Sequence, residues 1–461
     1  MHSKALYLVR RARQVFPMLL FPTPRKVLPA RSWRWLGWSL IASLISAFSP
    51  VAARPAVVRV VDRGNGEFAL TRDGEPYVVR GAGGSRSLEL VKELGGTTIR
   101  TWSIAQLEAT IDGRTVLDRC ADLGLTVMAG IWVQHERHGF DYSDPVQVEQ
   151  QRETVRAAVR KYRDHPALLI WGLGNEMEGP ESDGRDPRIW QELEVLAKIV
   201  KEEDPNHPVC TVIAGAAAGK VTSLMQHYTS LDILGVNAYG GAGQVGHALN
   251  DVGYDKPFIL AEFGPLGHWE VEKTSWGAPI EPTSRAKAAN YLASHNTVMA
   301  DGAGRCLGTF CFVWGQKQET TATWYGMFLP TGEKTPAVDV MAWAWTGAWP
   351  RNRSPQIERI EADFAVGRVA AESLHTVRAQ AEDADGDPLV YEWQVVAESM
   401  DRKSGGDAEA VPPSFPECIV EADGARARIR MPARPGAYRL FLYVRDGQGG
   451  GSADNVPFLV Q

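Results

Sequence analysis

The chain has 461 residues, 44% of them apolar and 15 of them tryptophan, with a formal net charge of −6. That length exceeds one typical domain and supplies ample material for a large core, while the mildly acidic balance argues against nucleic acid as a partner. The five cysteines (Cys120, Cys210, Cys306, Cys311 and Cys418) are odd in number and form no CxxC spacing, so they suggest neither a metal site nor a disulfide framework. A single bridge stays compatible with an exported chain.

The amino terminus reads as a targeting segment over residues 1–53. A basic, aromatic stretch from Arg31 to Trp38 runs into an apolar stretch from Ser39 to Phe48, followed by the small residues Ala52 and Ala53. That is the layout of a secretory signal, with Met18 an alternative start and Arg10-Arg11 a sparse twin-arginine match. The expected location is therefore exported, periplasmic or secreted. If left uncleaved the segment would anchor the chain to the membrane, although its apolar stretch is short for a span.

From Ala56 the chain opens with hairpin signals. Val57–Val61, Phe68–Thr71 and Tyr77–Arg80 are apolar runs separated by Gly64-Asn-Gly66 and Asp73-Gly74 turns. Counting Tyr77–Gly81 as the first, eight predicted strands then alternate with helical segments. The others are Thr97–Trp102, Leu125–Val133, Leu168–Gly174, Pro208–Ile213, Leu231–Tyr239, Phe258–Phe263 and Cys306–Trp314. This number of strands over about 300 residues predicts an α/β fold, a (β/α)8 TIM barrel spanning 54–350. The rival, a doubly wound open sheet, calls for GxGxxG after the first strand, and Gly81-Ala-Gly-Gly84 does not supply it.

Beyond the polar linker at Trp349–Pro355 the pattern becomes all-β. Thr376–Ala381, Leu389–Gln394, Ala425–Arg430 and Tyr438–Val444 are short strands parted by Asp/Gly turns. Residues 351–461 therefore predict a small immunoglobulin-like β-sandwich. Asp383, Asp385 and Asp387 surround a glycine there. They read either as a plain polar turn or as oxygen ligands for calcium, of which a full set is missing.

Two glutamates stand at the carboxyl ends of apolar runs. Glu176 closes Ala167–Glu176 and Glu262 lies in Pro257–Gly264, and in a barrel that is the face where chemistry occurs. A lone glutamate after a strand is ordinarily solvated or ion-paired. Two of them on the fourth and seventh strands, one preceded by Asn175, match the acid and the second carboxylate that glycoside hydrolysis requires.

On these motifs the chain resembles a retaining glycoside hydrolase of clan A and is most similar to the family 2-type catalytic barrel, over roughly Gly66 to Gly347. The resemblance implies that Glu176 is the acid/base and Glu262 the nucleophile. It also implies substrate-side roles for Arg100 and Trp102 on the second strand, His135 after the third, Asn175, Tyr239 ending the sixth and Trp314 ending the eighth. Arg100 and Tyr239 beside Glu262 would favour its ionised form, and a less solvated Glu176 would keep its proton. Glu136, Glu178 and Glu319 read as solvated acids at the mouth. No metal or organic cofactor is called for.

The expected function is that of an exported retaining β-glycosidase acting on an oligo- or polysaccharide, such as a β-glucan. The same residues also serve a glucanosyltransferase, and a non-catalytic carbohydrate-binding protein would be expected to lack one carboxylate. The carboxyl-terminal segment resembles the polycystic-kidney-disease or cadherin-like modules of secreted enzymes.

Overall fold

The computed structural model describes residues 55–179, 183–403 and 405–461. The predicted targeting segment, residues 1–53, lies outside the described residues. Among the described residues no helix is long and apolar enough to cross a membrane.

Three short strands, β1 (Val58–Gly64), β2 (Glu67–Arg72) and β3 (Glu75–Tyr77), form an antiparallel sheet. The Val58 amide donates to Asn206 O and the Phe68 amide to Gly304 O, both in loops that lead into barrel strands. The apolar side of this sheet (Val58, Leu70) packs with barrel-interior residues such as Met128, Ile170, Val212, Ile259 and Phe310. The hairpin sheet thus plugs the amino-terminal end of the barrel and leaves the opposite end for the site.

The barrel strands are β4 (Val79–Gly83), β5 (Thr98–Arg100), β8 (Thr126–Ile131), β9 (Leu168–Asn175), β10 (Val209–Ala214), β11 (Ile233–Asn237), β12 (Phe258–Phe263) and β13 (Cys306–Phe312). They close in that order, each parallel to its neighbours, with β13 pairing back onto β4. The expected fold class is the observed one. A small hairpin, β6 (Thr110–Ile111) with β7 (Arg114–Thr115), decorates one loop. Almost every strand residue is buried, as expected where helices cover the outside and side chains fill the inside.

The outer layer is α1 (Leu88–Glu93), α2 (Ile104–Glu108), α3 (Val116–Leu123), α4 (Pro145–Tyr162), α5 (Pro187–Glu203), α6 (Ala218–His227), α7 (Val245–Asp251), α8 (Ser284–Asp301) and α9 (Pro336–Thr346). Starts are marked in the sequence: Asp144 and Asp186 accept amides of the first turns of α4 and α5, each with proline just inside the helix. The final helix stops at Gly347, whose φ of 74° suits a glycine cap.

Two four-stranded sheets follow. One has β14 (Gln356–Glu361), β16 (Leu374–Glu382), β19 (Arg426–Arg430) and β18 (Ile419–Asp423). The other has β15 (Arg368–Val369), β21 (Gly451–Val460), β20 (Gly436–Arg445) and β17 (Val390–Ala397). Their inner faces share a core that includes Val377, Trp393, Ile429, Leu442 and Phe458.

This sandwich is tied to the barrel. Ser284 Oγ donates to Ala453 O at 2.6 Å, and the Ser284 amide donates to Asp454 Oδ1 at 2.7 Å. Arg439, buried against Glu398 at 2.7 Å, donates to Pro279 O at 2.7 Å. Two of the acids considered for calcium each turn one oxygen to backbone: Asp383 Oδ1 accepts the Asp385 and Asp387 amides, and Asp385 Oδ2 accepts the Arg353 amide. Among the described residues no three His, Cys, Asp or Glu side chains gather as a metal cage. All five cysteines are free.

Candidate active site

The carboxyl end of β9 makes a tight left-handed bend. Gly174 has φ 72° and Glu176 has φ 50°, and for a side chain larger than glycine that conformation costs about 1–3 kcal/mol. The barrel ladder holds it, since the Glu176 amide donates to Val212 O at 2.8 Å. A Cβ at Gly174 would come within 2.8 Å of Met177, so glycine is required there on two counts. The bend places the Glu176 carboxyl beside Asn237, whose Nδ2 donates to it at 2.7 Å.

Glu262, on β12, is 6% exposed and meets three donors. Arg100 Nη1 lies 3.0 Å from Oε1, Trp102 Nε1 donates to the same oxygen at 2.9 Å, and the Tyr239 hydroxyl donates to Oε2 at 3.1 Å. A carboxylate is an acceptor only, so three donors on its two oxygens fix its position and leave a lone pair of Oε2 without a donor. Trp102 reaches the strand ends because Gly130 on β8 leaves room: a Cβ there would stand 2.4 Å from the Trp102 carbonyl carbon.

Arg100 links the two carboxyl niches. Its guanidinium donates to Glu262, to the Ala261 carbonyl at 2.8 Å, to Asn237 Oδ1 at 3.3 Å and to Asn175 Oδ1 at 2.6 Å. A planar fork with five N–H groups can serve several acceptors at once, which a point-like ammonium cannot. Asn237 also donates to Asn175 Oδ1 at 3.2 Å, so Arg100, Asn175 and Asn237 form one polar floor between Glu176 and Glu262.

The electrostatics of the two acids differ. Burial, reinforced by the nearby Glu262 charge, pushes the Glu176 carboxyl up from 4.5 to about 7, against the Asn237 hydrogen bond and Arg100. The Tyr239 phenol is pushed well above its ordinary value, first by burial and then by Glu262, so it remains a donor. His135 is buried beside Trp132, with ring centroids 5.0 Å apart. Burial, then Arg137, lowers it to about 4. Among the described residues neither ring nitrogen of His135 completes a hydrogen bond, although the Asn175 backbone is close enough to be felt by the imidazole.

Glu176, Glu262, Arg100, Trp102, Asn175 and Tyr239 therefore converge as the sequence motifs suggest, with His135 on the adjoining loop. Trp314 does not join them. It is 0% exposed and packed between Phe328 and Trp345, so no face of its ring is open to a ligand. The strand ends two residues earlier than expected, and Phe312 takes the mouth position, edge-on to Trp102 at 5.8 Å and to Tyr239 at 6.1 Å.

The mouth acids also divide. Glu178 is buried and paired with Lys220 at 2.7 Å, Glu319 is buried and paired with Lys317 at 2.6 Å, and only Glu136 is exposed. Sequence reasoning missed Asn237, Phe312 and Trp269. Trp269 is 55% exposed and edge-on to Tyr239 at 5.8 Å. Its signal was an aromatic residue in the glycine-containing loop after the seventh barrel strand.

Against known proteins, residues 109–267 match the family model described as "Glycosyl hydrolases family 2, TIM barrel domain". A β-galactosidase, Pbg, of Clostridium perfringens is 41% identical over 44 residues, which are 10% of this chain and 6% of that one. Among solved structures, a β-glucuronidase of Bacteroides uniformis is similar with a TM-score of 0.47 at 14% identity, over 88% of this chain and 48% of that one. A β-galacturonidase of Eisenbergiella tayi gives a TM-score of 0.48 at 14% identity, over 64% and 54%. The chain thus spans about half the length of these solved structures.

Proposed function

From a clan A barrel of the glycosyl hydrolase family 2 type, we propose a retaining β-glycosidase that hydrolyses O-glycosidic bonds of a β-glucan or related polysaccharide. The observation that carries the reading is the unequal pair at the mouth: Glu262 held by three donors, and Glu176 half-buried with its carboxyl pushed up to about 7. Retaining hydrolysis needs one carboxylate as nucleophile and one carboxylic acid as proton donor.

In the first step a Glu262 oxygen attacks the anomeric carbon. The bond from that carbon to the leaving oxygen breaks, and Glu176 gives its proton to the departing oxygen. In the second step Glu176, now ionised, takes a proton from water while the water oxygen attacks the same carbon and frees Glu262. Two inversions give retention. Asn175, whose Oδ1 is engaged by Arg100 and Asn237, offers its amide nitrogen to a sugar hydroxyl, and His135 offers a ring nitrogen. Phe312, Tyr239 and the exposed Trp269 give flat apolar faces for sugar rings.

The amino-terminal segment, with its basic and then apolar layout, supports export of this activity to the periplasm or medium.

The test is turnover of an activated aryl β-glycoside by the full chain and by Glu262→Ala. Loss of turnover in the variant and release of the β-anomer by the wild type are expected. Undiminished activity in Glu262→Ala, or release of the α-anomer, would overturn the reading. Product lengths from a defined β-glucan oligosaccharide separate hydrolysis from transfer, longer products meaning transfer to a sugar acceptor.

A further inference from the structure

The loop after β13 is built more firmly than a substrate-binding loop of polar residues needs to be. Lys317 and Glu319 pair at 2.6 Å on it, and Thr320, with φ 63°, forces a left-handed turn between Glu319 and Thr321. That turn is gripped from two sides. The barrel's buried Glu281 accepts the hydroxyls of Thr321 at 2.7 Å and Thr323 at 2.8 Å. From the sandwich, Glu409 accepts the Thr320 amide at 2.6 Å, while its other oxygen accepts the Lys403 amide of its own loop.

The gripped pair faces the mouth. Lys317 Nζ stands 5.7 Å from the centre of the Phe312 ring, and Phe312 in turn meets Trp102, whose indole nitrogen holds Glu262. Only one aromatic ring separates the ammonium from the group that positions Glu262. Glu319 is 8% exposed; its charge is felt by Tyr239, and burial first, then the Glu409 and Glu262 charges, push its own carboxyl up against the pull of Lys317. On the outer side Gly406 of the sandwich closes on Lys317, where a Cβ would come within 2.9 Å of Nζ.

We propose that the Lys317–Glu319 ion pair is the specificity-determining feature of this mouth, reading the hydroxyls of an uncharged sugar, and that Glu409 of the sandwich is its positioning residue. The inference rests on the glycosidase reading above and narrows its substrate class. A hydroxyl both donates and accepts, so an ammonium beside a carboxylate satisfies both halves of it. A sugar carboxylate would gain Lys317 but meet Glu319 at the same place, and the pair's summed charge offers it nothing. Two other cations are paired too: Arg100 faces Glu262 at 3.0 Å and Arg137 faces Asp407 at 3.3 Å. Repulsion built against the wrong ligand is as much a source of selectivity as attraction to the right one.

The test compares kcat/KM for p-nitrophenyl β-glucoside, β-galactoside and β-glucuronide, using the full chain. The wild type should favour the better neutral glycoside over the glucuronide by about 100-fold or more, the range that an unmatched buried charge enforces. Glu319→Gln, which leaves the ammonium uncompensated, should narrow that ratio by about tenfold, one like-charge contact. Lys317→Met, which leaves the carboxylate alone, should widen it. Loss of fold alone cannot shift one ratio in opposite directions.

Glu409→Gln should raise KM for the neutral glycoside by more than it lowers kcat. Arg428→Ala, on an exposed part of the sandwich sheet, should change neither. A wild type that prefers the glucuronide, or a ratio unmoved in both Lys317 and Glu319 variants, overturns this inference and leaves the glycosidase reading standing. An unchanged KM in Glu409→Gln overturns the positioning role. A wild type that cleaves none of the three overturns the glycosidase reading, and this inference with it.

Discussion

The two carboxyl groups at the barrel mouth stand at the carboxyl ends of two barrel strands yet live in opposite surroundings. Glu262 has a guanidinium, an indole N–H and a phenol on its two oxygens, whereas Glu176 has one neutral amide donor and a like charge nearby. The difference comes from where each strand stops. On β12 the chain runs straight through Glu262, which keeps its side chain in the barrel's polar floor. On β9 the left-handed bend at Glu176 lifts the side chain out of line with Arg100 and toward Asn237. A single arginine thus hydrogen-bonds one acid and reaches the other only through its charge, and two residues of the same type acquire different chemistry.

The harshest way to break the comparison is to remove the clamped acid. Glu262→Ala should lose about 10⁴-fold or more in kcat on every glycoside, good or poor leaving group alike, the scale on which a missing nucleophile is felt. A loss confined to poor leaving groups would mean that the roles are exchanged.

Glu176→Gln should show that confined pattern. It is expected to slow glycosides with alkoxide-like leaving groups by about 10²–10⁴-fold, the range of general acid catalysis, while bond breakage with a nitrophenolate leaving group is far less affected. The wild-type kcat/KM should also fall as pH rises through about 7, where Glu176 gives up its proton. That alkaline limb should be missing in Glu176→Gln. A limb that survives the substitution belongs to another group.

A smaller effect sharpens the role of the shared floor. Arg100→Lys keeps the charge but cannot reach Asn175, Asn237, Ala261 and Glu262 from one nitrogen. The expected loss is about 10²-fold in kcat, the cost of displacing a reacting group by roughly 1 Å. A lysine variant with near-native kcat would mean that charge alone holds Glu262, and the fork geometry would carry no weight.

How much of this asymmetry shows in the residues themselves depends on the length of the signal. The alternation of apolar runs and helical segments is strong, so the barrel and the positions of Glu176 and Glu262 on its fourth and seventh strands are legible. Trp314 shows where such reading fails. In Cys306–Trp314 every side chain is apolar, small or sulfur-bearing, so periodicity does not mark where the strand ends. The two-residue overrun exchanges Phe312 at the mouth for a tryptophan packed on Phe328 and Trp345.

The strand β21 fails for another reason. Gly451-Ser-Ala-Asp looks like a polar turn, but its residues are buried because the barrel covers them through Ser284. Small polar residues at a domain contact carry no hydrophobic pattern. Asn237 and Glu409 were invisible as site residues because their importance lies in partners 61 and 89 positions away in the chain.

The subtlest expected effect concerns stability and tests the origin of the asymmetry rather than its use. The folded-state value of Glu176, about 7, lies above the ordinary 4.5. Burial therefore opposes its ionised form. The folded state is relatively favoured while the group is protonated in both states, below about 4.5, and loses that advantage as pH rises through about 7. At pH 8 the wild type must hold a half-buried charge close to Glu262, and a glutamine cannot ionise. Its carbonyl can still accept from Asn237 Nδ2, so the substitution removes the charge and keeps the hydrogen bond. Glu176→Gln should then unfold about 1–3 °C above wild type at pH 8, roughly what 1 kcal/mol yields in a chain of this size, and the gap should close at pH 5. A gap of equal size at both pH values would trace the effect to packing. The contrast between the two acids would then rest on their hydrogen bonds alone and not on the penalty of burying a second charge.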